Sequence, residues 1–206
     1  QKELTPTQTG FVDSGKDFGS GWVQMIDDVK VAVLSGEPTS TLRFGEIWHF
    51  FEQQLHYPFA VIDADYMNRV DLSEYDVLIL PGGWGYRDFM KEDMLNDLKE
   101  WVRNGGKLIA MGGSIHSISG KKGFGLKKKE LEKDSSTTIR PYDGSERERI
   151  KSAITGAIFK TTVDNTHPLG FGYDDSYFTL KLGNDAFDYM SEGNVVYLEE
   201  KQNRPV

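Results

Sequence analysis

Three short apolar runs, each stopped by glycine, restrict this chain to few folds. Val29–Leu34 leads into Ser35-Gly36, Asp76–Leu80 into Pro81-Gly82-Gly83-Trp84-Gly85, and Lys107–Met111 into Gly112-Gly113-Ser114. Runs of this length without polar alternation fit strands covered on both faces. Phe59–Ile62 is a fourth strand of the same kind. Between them lie two helical stripes, Phe44, Ile47, Trp48, Phe51 and Leu55 over 42–55, and Met94, Leu95, Leu98, Trp101 and Val102 over 91–104. Gly105-Gly106 stops the second helix. Strands alternating with helices predict a parallel, doubly wound α/β sheet with Trp48 and Trp101 in its core.

The 206 residues suit one domain, or a domain with an arm. Residues 1–28 carry Phe11, Phe18, Trp22 and Met25 among Gly, Thr, Ser and Asp. They read as an arm packed on the domain or as a connector, and the domain proper spans 29–206. The segment 119–145 sets Lys121, Lys122, Lys127, Lys128, Lys129 and Lys133 among Gly, Ser and Glu. It reads as an exposed, mobile insertion, or as a basic patch for an acidic partner. A helix is expected over 146–156, and strands late in the same sheet over 176–182 and 194–199.

The net charge of −8 disfavours nonspecific nucleic-acid binding, which needs a positive field. No apolar run approaches the ~20 residues of a membrane span. Cysteine is absent, which excludes disulfides, thiolate metal sites and a cysteine nucleophile. That absence suits an oxidising compartment, as it does many cytosolic domains. The polar start lacks a signal peptide and does not begin with Met, so the chain reads as excised from something longer.

Ligands of open parallel sheets gather at the carboxyl ends of the strands. Ser114, directly after a strand and two glycines, has the placement of a nucleophile on a sharp elbow. Such a residue is expected in a sparsely populated backbone region. Amides of the Gly83 turn and of the Gly113 turn could meet as an oxyanion hole, or both could be plain tight turns. Trp84 reads as the wall of a pocket or as simple packing. Glu37 and Glu46 lie within reach of the elbow or stay solvated. His49 and His56 are seven apart with no HxxE or HExxH pattern, so no metal site is expected in this chain.

The order strand, helix, strand, LPGGWG, helix, strand, GGS resembles the class I glutamine amidotransferase-like superfamily, including its PfpI-type proteins, over residues 29–118. The resemblance implies a flavodoxin-like three-layer sandwich with a mostly parallel sheet. It makes Gly83 an oxyanion amide and Ile115 the second one. Ser114 falls where the superfamily has its cysteine. His167-Pro168-Leu169 falls on a His-Pro-Glu, so His167 would be the base, with Leu169 in place of its orienting acid. Serine needs such a base before it attacks, which makes any catalysis weak or vestigial. Asp164, Asp174 and Asp175 flank His167 as substitute orienters. His116 lies one position beyond the histidine that follows the PfpI-type nucleophile and belongs with the pocket residues.

A narrower resemblance rests on Asp164–Tyr173 (DNTHPLGFGY), Tyr177-Phe178, NVVYLEE and MGGSIHS. This text looks like the amidotransferase-like domain at the C-terminal end of bacterial zinc carboxypeptidases of the carboxypeptidase A type. The resemblance implies an upstream catalytic domain that holds the zinc, no cofactor in this chain, and a secreted or periplasmic location. The function implied is a non-catalytic accessory domain whose old pocket takes a small ligand or a peptide end. The alternatives are a serine hydrolase or amidase using Ser114 and His167, and a scaffold for oligomerisation.

Overall fold

The computed structural model describes residues 9–22, 28–129 and 142–199. The chain divides into two compact units, Gln1–Ser114 and Ile115–Val206.

In the first unit, β1 (Val31–Ser35), β2 (Ala60–Asp63), β3 (Val77–Leu80) and β4 (Lys107–Ala110) form a parallel sheet in the order β2-β1-β3-β4. Val33 stands opposite Val61 on one side and Ile79 on the other. Three helices accompany it: α1 (Thr41–His49), continued by a π-type turn over Phe50–Leu55, then α2 (Tyr86–Phe89) and α3 (Glu92–Arg103). One sheet face carries Val31, Val33 and Ile79 against Ile47 of α1, with Phe44, Phe51, Tyr57 and Phe59 packed around them. Alternation along a strand turns Ala32, Leu34, Leu78 and Leu80 to the opposite face, and each has 0% exposure. Full burial of one such leucine contributes roughly 1.5–3 kcal/mol. α3 buries Met94, Leu95, Leu98 and Trp101. Its first turn holds Glu92 and Asp93 and its last turn Arg103, which suits the helix dipole at both ends. This is the flavodoxin-like α/β arrangement expected from the sequence.

Gly106 has a task beyond stopping α3. A β-carbon on it would lie 2.2 Å from Cε2 of Trp101, whose Nε1 donates to the Tyr75 carbonyl at 3.1 Å. Trp48, by contrast, is 43% exposed and not in the core. Phe44, Ile47 and Phe51 fill the contact with the sheet and leave Trp48 on its rim. The described part of the arm makes hydrogen bonds within itself. Val12 N donates to Asp17 Oδ1 at 3.1 Å and Phe18 N to Gly10 O at 2.9 Å, so the segment folds on itself. Phe11 and Trp22 stay exposed. Met25 lies outside the described residues.

The second unit contains α4 (Ile115–Ile118), α5 (Ser145–Ser152), β5 (Ala157–Val163), β6 (Ser176–Lys181) and β7 (Val196–Tyr197). The three strands form a separate antiparallel sheet, β6-β5-β7. The two late strands therefore do not extend the parallel sheet. They flank β5, which the sequence reading missed because Lys160, Thr161 and Thr162 interrupt its apolar residues. Phe159, Thr161 and Val163 alternate onto its buried face. The insertion is partly tied down. Lys129 N donates to Ala186 O and Asp188 N to Lys127 O, both at 2.9 Å. Lys121 and Lys122 are exposed, and Lys133 lies outside the described residues. No described helix is long and apolar enough to cross a membrane.

Candidate functional site

Three loops meet at the carboxyl ends of the parallel strands. The loop after β1 pairs with the loop after β3: Ser40 N donates to Gly82 O at 3.0 Å, and Trp84 N to Pro38 O at 3.1 Å. The approach excludes a side chain, since a β-carbon on Gly83 would lie 2.0 Å from Pro38 O. The loop after β4 stacks on the same turn. A β-carbon on Gly113 would lie 2.0 Å from Gly83 O, and one on Gly112 would lie 3.5 Å from Gly82 Cα. The two glycine turns thus converge. Of the Gly83 atoms, the carbonyl oxygen lies nearest to the place a β-carbon on Gly113 would take.

Ser114 ends a 3-10 turn over Gly112–Ser114, and α4 starts at Ile115. The left-handed backbone of the elbow falls on Gly112 (φ 53°) and not on Ser114, contrary to the strain expected there. Glycine takes that conformation at no steric cost, so the serine need not. Ser114 has 0% exposure. Its Oγ lies 2.9 Å from Leu80 O and 2.9 Å from Met111 O, and it accepts from Met111 N at 2.8 Å. The hydroxyl fastens the ends of β3 and β4 together. A nucleophile must instead offer a lone pair to substrate.

The partners proposed for Ser114 are engaged as well. His167 Nδ1 accepts from Leu169 N at 3.1 Å. Nδ1 must therefore keep its lone pair, and the neutral ring carries its proton on Nε2. A base working through Nε2 needs the opposite tautomer. Asp164 does not correct this, because its Oδ1 takes Thr166 N at 3.1 Å and Thr166 Oγ1 at 2.6 Å. Those bonds, ahead of the nearby His167, hold the Asp164 carboxyl below the usual carboxylate range. Leu169 itself is exposed. Asp174 and Asp175 are exposed.

His116, on α4, has an acid partner in Asp185. Its Nε2 lies 2.8 Å from Asp185 Oδ2, and its ring leans on Phe187. Lys128 pairs with the other oxygen of Asp185. The Lys128 ammonium first, and His116 after it, depress the Asp185 carboxyl against the opposing effect of burial. Asp185 had no signal in the sequence, lying 69 residues from His116 in a loop without a motif. Ile115, beside it, is half-buried.

Glu46 is taken by Arg43, whose Nη1 reaches its two oxygens at 2.9 and 3.0 Å on the exposed side of α1. Glu37 remains at the loops, next to the cis peptide before Pro38. It lines a cleft of about 470 Å³ together with Thr39, Trp84, Asp88 and Phe89. Trp84, at 87% exposure, is a wall of this cleft and not core. Beneath the loops, Thr39 Oγ1 and the Tyr86 hydroxyl share a buried 2.8 Å hydrogen bond. Burial pushes the Tyr86 phenol up, and the bond to Thr39 partly offsets it. Among the described residues, no three His, Asp or Glu side chains stand together in a metal-binding group.

No protein-family model matches this chain, and no curated protein matches it. Solved structures do resemble it. One is a protein of Thermoplasma acidophilum provisionally described as part of GMP synthase, at TM-score 0.52 and 12% identity, covering 84% of this chain and 74% of the other. Another is a glutamine amidotransferase of Thermotoga maritima, at TM-score 0.49 and 14% identity, covering 83% of this chain and 67% of the other. The likeness to the Thermoplasma protein shows a shared α/β fold. At such identities the likeness concerns architecture and not chemistry.

Proposed function

We propose that this chain is a non-catalytic, amidotransferase-like accessory domain attached to the catalytic domain of a secreted or periplasmic zinc carboxypeptidase. The observation that carries the non-catalytic reading is the Ser114 hydroxyl, enclosed at 0% exposure and bonded to the Leu80 and Met111 backbones. The tautomer of His167 supports it independently. The peptidase context is supported by the text of 164–173, of 194–200 and around MGGSIHS. The zinc of such an enzyme belongs to the catalytic domain, which this chain would dock or help to fold.

Two measurements test this reading. A fluorophosphonate probe, with ester and glutamine substrates, is applied to the chain and to its Ser114→Ala variant. No labelling or turnover above the variant is expected. Activity that vanishes in the variant would overturn the proposal in favour of a serine hydrolase or amidase. Separately, the polypeptide encoded by the full reading frame is assayed for removal of C-terminal residues from peptides. Chelator-sensitive activity is expected, and its absence would overturn the peptidase context while leaving the silent elbow standing.

A further inference from the structure

The sheet has a topological switch point that the elbow does not use. The chain leaves β1 to form β2 on one side, then returns to form β3 on the other, giving the order β2-β1-β3-β4. In open parallel sheets ligands sit outside the carboxyl ends of the strands at such a reversal. The cleft of about 470 Å³ lies there, between the residues after β1 (Glu37 to Ser40) and those after β3 (Trp84 to Phe89).

Its chemistry is one-sided. Among its lining residues the ionisable groups are two carboxylates, Glu37 and Asp88, with no Lys, Arg or His. Both carboxylates are exposed, and neither takes part in an ion pair among the described residues. Glu46, one turn into α1, is by contrast already neutralised by Arg43. The apolar part of the lining is aromatic: Phe89 is half-buried, and Trp84 stands 87% exposed. An indole face attracts a cation through its quadrupole, and unpaired carboxylates add Coulomb attraction and bidentate acceptors. The rim is held in place. Cross-bonds from Ser40 N to Gly82 O and from Trp84 N to Pro38 O lock the two loops, and the buried Thr39–Tyr86 bond lies beneath them.

We infer that this cleft binds an organic cation, a guanidinium or ammonium group on an apolar stem, held between the Trp84 indole and the carboxylates of Glu37 and Asp88. Such a group occurs on an arginine or lysine side chain of a polypeptide and on free di- or polyamines. The stem would lie along Trp84 and Phe89. This inference stands whether or not the chain accompanies a peptidase, because it draws nothing from Ser114 or His167.

The test is titration of the full chain, followed by the indole N–H resonance of Trp84, with acetyl-arginine amide, with putrescine, and with neutral acetyl-citrulline amide. Either cation should give a saturable shift with Kd on the order of millimolar, as suits one exposed cation–π contact and two exposed ion pairs. Tighter binding of arginine amide assigns the source to a polypeptide, and tighter binding of putrescine to a free amine. The Glu37→Gln/Asp88→Asn double variant should weaken binding by about three-fold or more, and added salt should do the same. These substitutions are on exposed side chains, and unchanged circular dichroism controls for folding. The inference fails if neither cation shifts the Trp84 resonance, if citrulline amide binds as well as arginine amide, or if the double variant binds unchanged.

Discussion

The carbonyl oxygen of Gly83 fills the space that a β-carbon on Gly113 would need, only 2.0 Å away. The obstructing atom is backbone, so no side chain can swing aside. Gly113→Ala is expected to destabilise by about 3 kcal/mol, at the upper end of the usual range for overpacking. Gly45→Ala in α1 is the counterpart, since its β-carbon would meet nothing within 4 Å. There a gain of about 0.5–1 kcal/mol is expected, from helix propensity alone. Urea midpoints of the two variants should move in opposite directions.

Ser114→Ala removes the hydroxyl that bridges Leu80 O and Met111 O. Loss of about 0.5–1.5 kcal/mol is expected, the net worth of a hydrogen bond, because Met111 N still donates to Leu80 O and Ser114 N to Met111 O. Ser114→Cys supplies the nucleophile that the superfamily uses, yet it should release no ammonia from glutamine. The enclosure and the His167 tautomer persist in it. Thiol-dependent glutamine hydrolysis by that variant would show that the elbow lacks only sulfur.

Tyr86→Phe deletes one half of a buried hydrogen bond and should cost about 0.5–1.5 kcal/mol at neutral pH. The penalty depends on pH. Burial raises the Tyr86 phenol above its usual ~10, so the folded chain keeps the proton after the unfolded chain has begun to release it. The stability from this proton is intact below pH ~10 and is lost as pH rises through the folded pKa. The gap in stability between wild type and variant should therefore narrow when unfolding is compared at pH 8 and at pH 11. A gap that widens would contradict the buried, protonated phenol.

Asp185 gives the opposite sign. Lys128, and to a lesser degree His116, hold its carboxyl below the ordinary ~3.9. The stabilisation is present above that value and disappears as pH falls through the depressed folded pKa. Asp185→Asn should therefore unfold at lower urea than wild type at pH 6, with the difference closing below pH ~4. Because the pair is half-exposed, added salt should also shrink the difference at pH 6. A difference that is constant with pH would mean that Asp185 acts by shape and not by charge.

The first half of the chain was legible because local pattern and tertiary role agree there. Val31–Leu34, Val77–Leu80 and the α3 stripe are apolar where the sheet needs them, and glycine marks each turn. Trp48 misled because a helical stripe is wider than the contact one sheet face offers. β5 stayed hidden because half of an antiparallel strand can be polar, as Lys160 and Thr162 are. The candidate site was readable as a place but not as chemistry. Spacing located Ser114, Trp84 and Glu37 at strand ends. It could not reveal that the Ser114 hydroxyl turns back onto Leu80, that His167 points Nδ1 at its own chain, or that Asp185 comes to His116 from 69 residues away.

The position of β1 inside the sheet sets an order of assembly on the ribosome. Its two neighbours are both made after it, β2 ending at Asp63 and β3 starting at Val77. At roughly 5–20 residues per second, β1 waits about one to three seconds for its second partner once the first has emerged. During that interval this strand, whose Ala32, Val33 and Leu34 end at 0% exposure, presents an open edge to solvent or to a chaperone. Slowing translation between codons 63 and 77 should lengthen that exposure, and with it the fraction of chain lost to aggregates.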